Sequence, residues 1–336
     1  MAQGNLAKID NAKLVLIFLV VLGHLIEPLI GRQAELATLY KVIYAFHMPA
    51  FAMLCGVLSK DILCGKQLSK VVVTIIVPFL AFTVVYELLE YFMHGKVSHY
   101  TRQFQPYWLL WFLLSLFFWR LLLPLILQLR FPLLFSIALG LLAGYANNIG
   151  YFFGVARTFY FLPFFVAGYL LSPSFFAVEP KQWVKYLAFV SAVLTASYLV
   201  VFAQEPHHFL YGSFSYQALN QDGFSALLVR AEYYFIAFVL ALSLFCLVSS
   251  QPNAWSNAGR ASLFIYLWHG VLIKLLVYYG LFSAIAALHW GLNLILMAFL
   301  ALGIVTVLSS NFALQFTERL MLTPLKNILV TQPAAK

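Results

Sequence analysis

Charge is scarce in this sequence. Asp, Glu, Lys and Arg make up 9% of its 336 residues, against about a quarter in a soluble globular domain. Such a chain cannot coat itself for water, which excludes a free-standing soluble enzyme. Acidic residues are the scarcer sign, 11 against 20 Lys and Arg. Cysteine is rare. Cys55, Cys64 and Cys246 are scattered, show no metal-ligand or disulfide spacing, and read as structural. No polar stretch exceeds about 25 residues, too short for a second core. No small-residue cleavage site follows the first apolar run, which therefore reads as a span and not as a removable signal. No internal repeat is visible, which counts against an inverted-repeat transporter.

What is abundant is apolar and aromatic surface. Hydrophobic residues reach 63%, mean hydropathy is +0.91, and there are 33 Phe, 19 Tyr and 7 Trp. Lipid is the matching solvent, and the aromatics suit interfacial belts. At roughly 20 apolar residues per span, the chain reads as an all-α, polytopic membrane helix bundle. A single domain over 1–336 holds ten spans, at about 12–31, 39–59, 67–92, 106–129, 131–147, 157–172, 184–203, 229–250, 261–282 and 289–317. Pro78, Pro124 and Pro163 fall inside spans and are expected to kink them.

The basic residues give an orientation. With the N-terminus cytoplasmic, twelve Lys and Arg between Lys8 and Lys336 fall on inner segments and six on outer ones. That twofold excess places both termini in the cytoplasm. Arg120 and Lys274 lie within spans and do not bear on it. The net charge of +9 thus reads as topology and not as a nucleic-acid surface. The longest loop, about 204–228, falls outside. Its Glu205, His207, His208, Tyr211, Tyr216, Asn220 and Asp222 could bind a sugar or form an ordinary wet loop.

The first span opens KIDNAKLVLIFLVVLGHLIEPLIG. Lys13 and His24 are eleven residues apart, close to three helical turns, so they share a face ~16 Å apart along the axis. Glu27 follows His24 by three residues and can share that face too. Ionisable groups at this depth are expensive and are functional candidates. A buried His beside a carboxylate has the properties of a general base. The plainer alternative is a polar residue that bonds a neighbouring helix. In the second span, YKVIYAFHMPAFAMLCGVLSK, His47 lies at about the depth of His24, and the two can line one cavity. Pro49 next to it can free backbone groups for a ligand.

A basic residue, ten residues, then His in the first span resembles the acyltransferase 3 family of membrane acyltransferases, in its fucose 4-O-acetylase-like branch. The segments KIDNAKLVLIFLVVLGH, AFHMPAFAMLCGVLSK, YWLLWFLLSLFFWRLLLP, RTFYFLPFFVAGYLL and GRASLFIYLWHGVL carry the resemblance over nearly the whole chain. The resemblance implies a ten-helix bundle in a bacterial inner membrane. It implies acetyl transfer from cytoplasmic acetyl-CoA, a substrate and not a bound cofactor, to a hydroxyl of an extracytoplasmic or lipid-linked glycan. It carries the catalytic His onto His24 and the basic donor-binding position onto Lys13. Most members have Arg there; Lys keeps a point charge for phosphate and loses the bidentate fork.

On that basis the CoA phosphates are expected near Lys13, with Lys60, Lys66, Lys70 and Arg260 as further candidates. The pantetheine arm would rise toward His24, with Glu27 orienting the imidazole and His47 serving the oxyanion or the acceptor. A direct transfer and an acetyl-His24 route both stay open. Arg157, Trp108, Trp111 and Glu87 are acceptor-side candidates, each also readable as an interfacial or belt residue. His269 is expected too far toward the cytoplasm for the His24 cavity, and touches the donor arm or only packs. Two other functions compete. One is a glycan or lipid-linked glycan flippase with His24 and Glu27 as a proton relay. The other is a non-catalytic partner of polysaccharide assembly proteins.

Overall fold

The computed structural model describes residues 3–60, 65–147, 150–171, 174–203, 205–221 and 223–329. Cys64, Asp222, Lys336 and the Lys66 side chain lie outside the described residues. Every regular element among the described residues is helical. Among the described residues eight helices are long and apolar enough to cross a bilayer: α1 Ala7–Leu29, α2 Ala34–Val57, α3 Gln67–His94, α4 Trp108–Ile126, α6 Phe152–Leu170, α7 Gln182–Val201, α8 Gly223–Leu247 and α10 Trp290–Leu308. Two shorter apolar helices, α5 Pro132–Tyr145 and α9 Ser262–Tyr278, complete the ten. The chain is a polytopic helical membrane protein.

The reason for this architecture is the solvent. In hydrocarbon each backbone N–H and C=O must find its partner inside its own segment, and a helix achieves that. The tenth helix stops at Leu308, short of the expected 317, because Ser310 accepts from Ala313 N at 3.3 Å and caps a new helix, Asn311–Thr317. Pro49, Pro124 and Pro163 sit within unbroken helices. At Pro49 the backbone does not open, although its missing N–H still deprives one carbonyl of a helical bond. α3 carries a π-helical turn at Val72–Ile76, just ahead of Pro78.

α1 lies at the centre, packed on α2, α9 and α10 and on the short helix Ser256–Arg260. Ala12, Leu16, Ile17, Val21, Leu25 and Ile26 on it are fully buried. Its inner end is wrapped by the α8–α9 connection. Asn11 Nδ2 donates to the carbonyls of Ser249 (2.9 Å) and Gln251 (2.8 Å), and its Oδ1 accepts from Asn253 (3.0 Å) and Ser256 (2.7 Å). Four bonds on one buried amide saturate it, as burial demands.

α2 and α6 form another close pair. A Cβ on Gly56 would stand 2.0 Å from the Phe165 carbonyl oxygen, and one on Gly168 1.9 Å from that of Met53. Small residues let the backbones touch where no hydrophobic force drives helices together. At the periphery, α7 has only 11% of its apolar window buried in the protein. It shows Trp183, Tyr186, Phe189 and Leu194 to lipid.

The 205–221 stretch folds back over the outer end of α2. Arg230, buried in α8, donates to the carbonyls of Gly140 (3.2 Å) and Phe214 (3.1 Å) and lies over the ring of Tyr216 at 4.4 Å. Tyr216 in turn donates to Leu141 O at 2.8 Å. These contacts hold the loop against the bundle, so it is not a wet tether.

Candidate functional site

The two ends of α1 face two cavities, each of about 500 Å³. The outer one is walled by His24, Glu27, Tyr40, Tyr44, His47, Tyr100, Trp108, Trp111, Tyr151, Arg157 and Tyr211, among others. The inner one is walled by Lys13, Cys55, Ser59, Gln67, Lys70, Thr74 and Arg120, with an apolar side that includes Phe51, Leu54 and Leu116. Val20, Met48 and Tyr266 border both. The helical face inferred for α1 is therefore real: Lys13 lies on one cavity, His24 on the other, and Val20 between them.

His24 is held on one nitrogen. Its Nδ1 lies 2.9 Å from Glu27 Oε2 and 3.2 Å from the Tyr44 hydroxyl. The carboxylate accepts the Nδ1 proton, which leaves Nε2 with its lone pair free for reaction. The Trp108 ring meets the imidazole edge-on at 4.8 Å. Tyr44 stacks on Tyr40 at 3.8 Å, and Tyr40 shares a 2.8 Å hydroxyl bond with Tyr211 of the outer loop. The histidine is thus braced from α1, α2 and the α4 entrance at once.

Trp108 has φ 27°, a conformation that L residues rarely hold. Its neighbours fix it there. Tyr107 donates to Glu90 at 2.7 Å, and the Tyr266 hydroxyl donates to the Leu109 carbonyl. Lys274 pairs with Glu90 at 3.7 Å and stands 5.8 Å over the Trp108 ring. Strain maintained by such surroundings is a mark of functional sites.

His47 is buried, and its Nδ1 donates to the Ile43 carbonyl at 2.7 Å. Its Nε2 therefore carries a lone pair in the neutral ring. Arg157 is sandwiched between Trp111 (4.9 Å) and Tyr151 (5.0 Å), and its Nε donates to Tyr211 O at 3.2 Å. No acidic side chain faces it at pairing distance among the described residues. Burial pushes the loop phenols of Tyr100 and Tyr211 up to about 12, so both stay neutral donors at ordinary pH. Burial also lowers the His207 imidazole, which sits edge-on to Tyr40.

Four expected site residues sit elsewhere. His269 lines neither cavity. Its ring lies 5.5 Å from that of His24, fully buried behind it, with Nδ1 donating to Ile265 O at 3.0 Å and Nε2 unpartnered. Glu87 faces the 98–101 turn and not the outer cavity. It accepts from Ser98 N at 3.0 Å, from the Ser98 hydroxyl and from Thr101 Oγ1 at 2.6 Å. A carboxylate so occupied has little left for a ligand. Lys60 points to α6, where it donates to the Tyr169 and Leu171 carbonyls. Arg260 is exposed, 3.9 Å from Asp10, and does not wall the inner cavity. Lys13 pairs with the same Asp10 at 3.7 Å.

Several lining residues were not singled out from sequence. Tyr44 carries no signal as one of 19 tyrosines. Arg120 did carry one, since an arginine inside a span is a functional candidate by default. Gln67 and Thr74 belong to the start of α3, and Thr74 sits in the π turn, a feature frequent at functional sites.

The model of an acyltransferase family, Acyl_transf_3 (Acyltransferase domain), matches residues 6–311. A Nodulation protein NolL from Sinorhizobium fredii is 32% identical over 123 residues, covering 32% of this chain and 34% of that protein. A Nodulation protein NolL from Mesorhizobium japonicum is 39% identical over 64 residues, 18% of this chain and 17% of that protein. The alignments thus span about a third or less of these relatives' lengths. No solved structure matches.

Proposed function

We propose, from the premise that this chain belongs to the acyltransferase 3 family and is a membrane acyltransferase, that it moves an acetyl group from cytoplasmic acetyl-CoA to a glycan hydroxyl on the far side of a bacterial inner membrane. The single observation that carries this reading is the pair of cavities, one lined by Lys13 and the other by His24, that share Val20, Met48 and Tyr266 as walls.

The inner cavity is basic and part apolar, which suits a polyanionic nucleotide with a long thin arm. Lys13, Lys70 and Arg120 supply charge for phosphate. The arm spans the ~16 Å from Lys13 to His24. The outer cavity is aromatic and hydrogen-bonding, which suits a sugar. Trp108, Trp111 and Tyr151 offer ring faces, and Arg157 and Tyr100 offer donors.

At the meeting point the acceptor hydroxyl attacks the thioester carbonyl carbon. His24 Nε2 takes the hydroxyl proton, Glu27 stabilises the resulting imidazolium, and the C–S bond breaks as the ester forms. The proton then passes from Nε2 to the CoA sulfur, so His24 ends as it began. General-base assistance of this kind contributes about 10²–10⁴-fold. His47, neutral with its Nε2 lone pair, suits an acceptor hydroxyl better than an oxyanion, which needs a donor.

The test is the His24→Ala protein, purified and shown to be folded. With labelled acetyl-CoA and glycan acceptors, transfer should drop by about 10²–10⁴-fold. Full activity in that variant would overturn the reading. Glycan movement without acetyl consumption in the wild type would favour a flippase.

A further inference from the structure

The three residues that border both cavities form a collar, and we infer that this collar selects the acyl group: it passes a slim, uncharged acyl chain and rejects one that ends in a carboxylate. The inference rests on the acyl-transfer reading above and adds a donor class to it.

The collar has one residue from each of three helices. Val20 lies one turn below His24 on α1, Met48 follows His47 on α2, and Tyr266 stands on α9. Val20 is 2% and Tyr266 8% exposed. The Tyr266 hydroxyl proton is spent on the Leu109 carbonyl, so the ring is pinned and offers an anion in the passage no donor. Just below, Phe112 and Phe51 continue the apolar wall, Phe112 lying 6.1 Å from Tyr266 and 6.3 Å from Phe51. The basic groups of the inner cavity, Lys13, Lys70 and Arg120, do not border the outer one. Any acyl group bound for His24 must leave their side and cross valine, methionine and ring carbon.

A terminal methyl crosses such a surface readily. A carboxylate must shed its water there with no partner, which is costly for an ion in an apolar setting. Beyond the collar Arg157 would receive an anion, but Glu27 is the charge nearest the reaction point. The crossing itself therefore decides, and Met48 and Val20 set it. Met is the softer wall, Val the narrower one.

The experiment uses the full chain in nanodiscs, with acetyl-CoA, isobutyryl-CoA and succinyl-CoA as donors and methyl α-L-fucopyranoside as probe acceptor. Free CoA is read above the His24→Ala baseline. Wild type should prefer acetyl over succinyl by about 100-fold, the effect of an unpaired ion in an apolar passage. Met48→Thr, which places a hydroxyl in the collar, should cut that ratio at least tenfold, and Val20→Ala should raise isobutyryl relative to acetyl. Thermal melting of each variant separates misfolding from altered choice. Equal use of acetyl and succinyl by wild type, or ratios unmoved in both folded variants, overturns the collar while leaving acyl transfer standing. No CoA release above baseline from any donor overturns the transfer reading, and the collar with it.

Discussion

His24 and His269 stand ring beside ring, 5.5 Å between centroids and 33° between planes. They come from the first and ninth helices, which pack along the bundle centre. His269 has no exposed surface, and its backbone bond to Ile265 fixes which nitrogen carries the proton. It is the rear wall of the His24 imidazole. Replacing it with Ala should leave a gap into which His24 can turn. The expected result is a fall in kcat of roughly 10- to 100-fold, as for small misplacements of a reacting group, with the donor KM unchanged. A rise in donor KM with kcat intact would return His269 to the donor arm's path.

Arg157 has a stacking role that its charge alone cannot fill. Lys at this position keeps the cation and loses the plane between Trp111 and Tyr151. Arg157→Lys should raise the acceptor KM roughly 5- to 30-fold, the size of a desolvated cation–π contact. The donor KM should not move. Steady-state kinetics with each substrate varied in turn would show it.

The lysines after α2 divide by geometry. Lys70 walls the inner cavity, whereas Lys60 is committed to two carbonyls of α6. Lys70→Ala should weaken acetyl-CoA binding several-fold at low salt and less at high salt, where screening shortens the reach of charge. Lys60→Ala should leave donor binding alone and lower the melting temperature. Isothermal titration with CoA at two ionic strengths separates the pair. The opposite pattern would mean that Lys60 swings into the cavity.

Gly168 tests the bundle itself. A methyl there would overlap the Met53 carbonyl oxygen, which no side-chain rearrangement can relieve. Gly168→Ala should push α2 and α6 apart and cost about 1–3 kcal/mol, as overpacking does. Differential scanning fluorimetry in detergent reads the drop in Tm. An unchanged Tm would mean that the two helices do not approach this closely.

Much of this was legible in the chain. Hydropathy gave the helices, because lipid leaves the backbone no other regular choice. The Lys13–His24–Glu27 stripe followed from helical spacing, and the Glu27–Nδ1 contact of 2.9 Å realises the i,i+3 relation. His269 was misplaced by counting residues from the membrane edge. On that count it sits roughly 6–9 Å below His24, an offset that helix tilt and two side chains reaching toward each other close. Glu87 and Lys60 looked available because their partners, a turn eleven residues on and a carbonyl on another helix, are tertiary facts. Lys13 and Arg120 face the same cavity from two helices, and nothing in local sequence pairs them.

The outer cavity has a pharmacological consequence. It holds about 500 Å³, the volume of a drug-sized site, and on the proposed topology, with both termini cytoplasmic, it would open away from the cell interior. An inhibitor shaped to its tyrosines, tryptophans and one stacked arginine would reach the histidine without crossing this bilayer. Cytoplasmic enzymes that inactivate drugs would never meet it. On the proposed reading it would also bind apart from CoA, so it would not compete with the donor for the inner cavity.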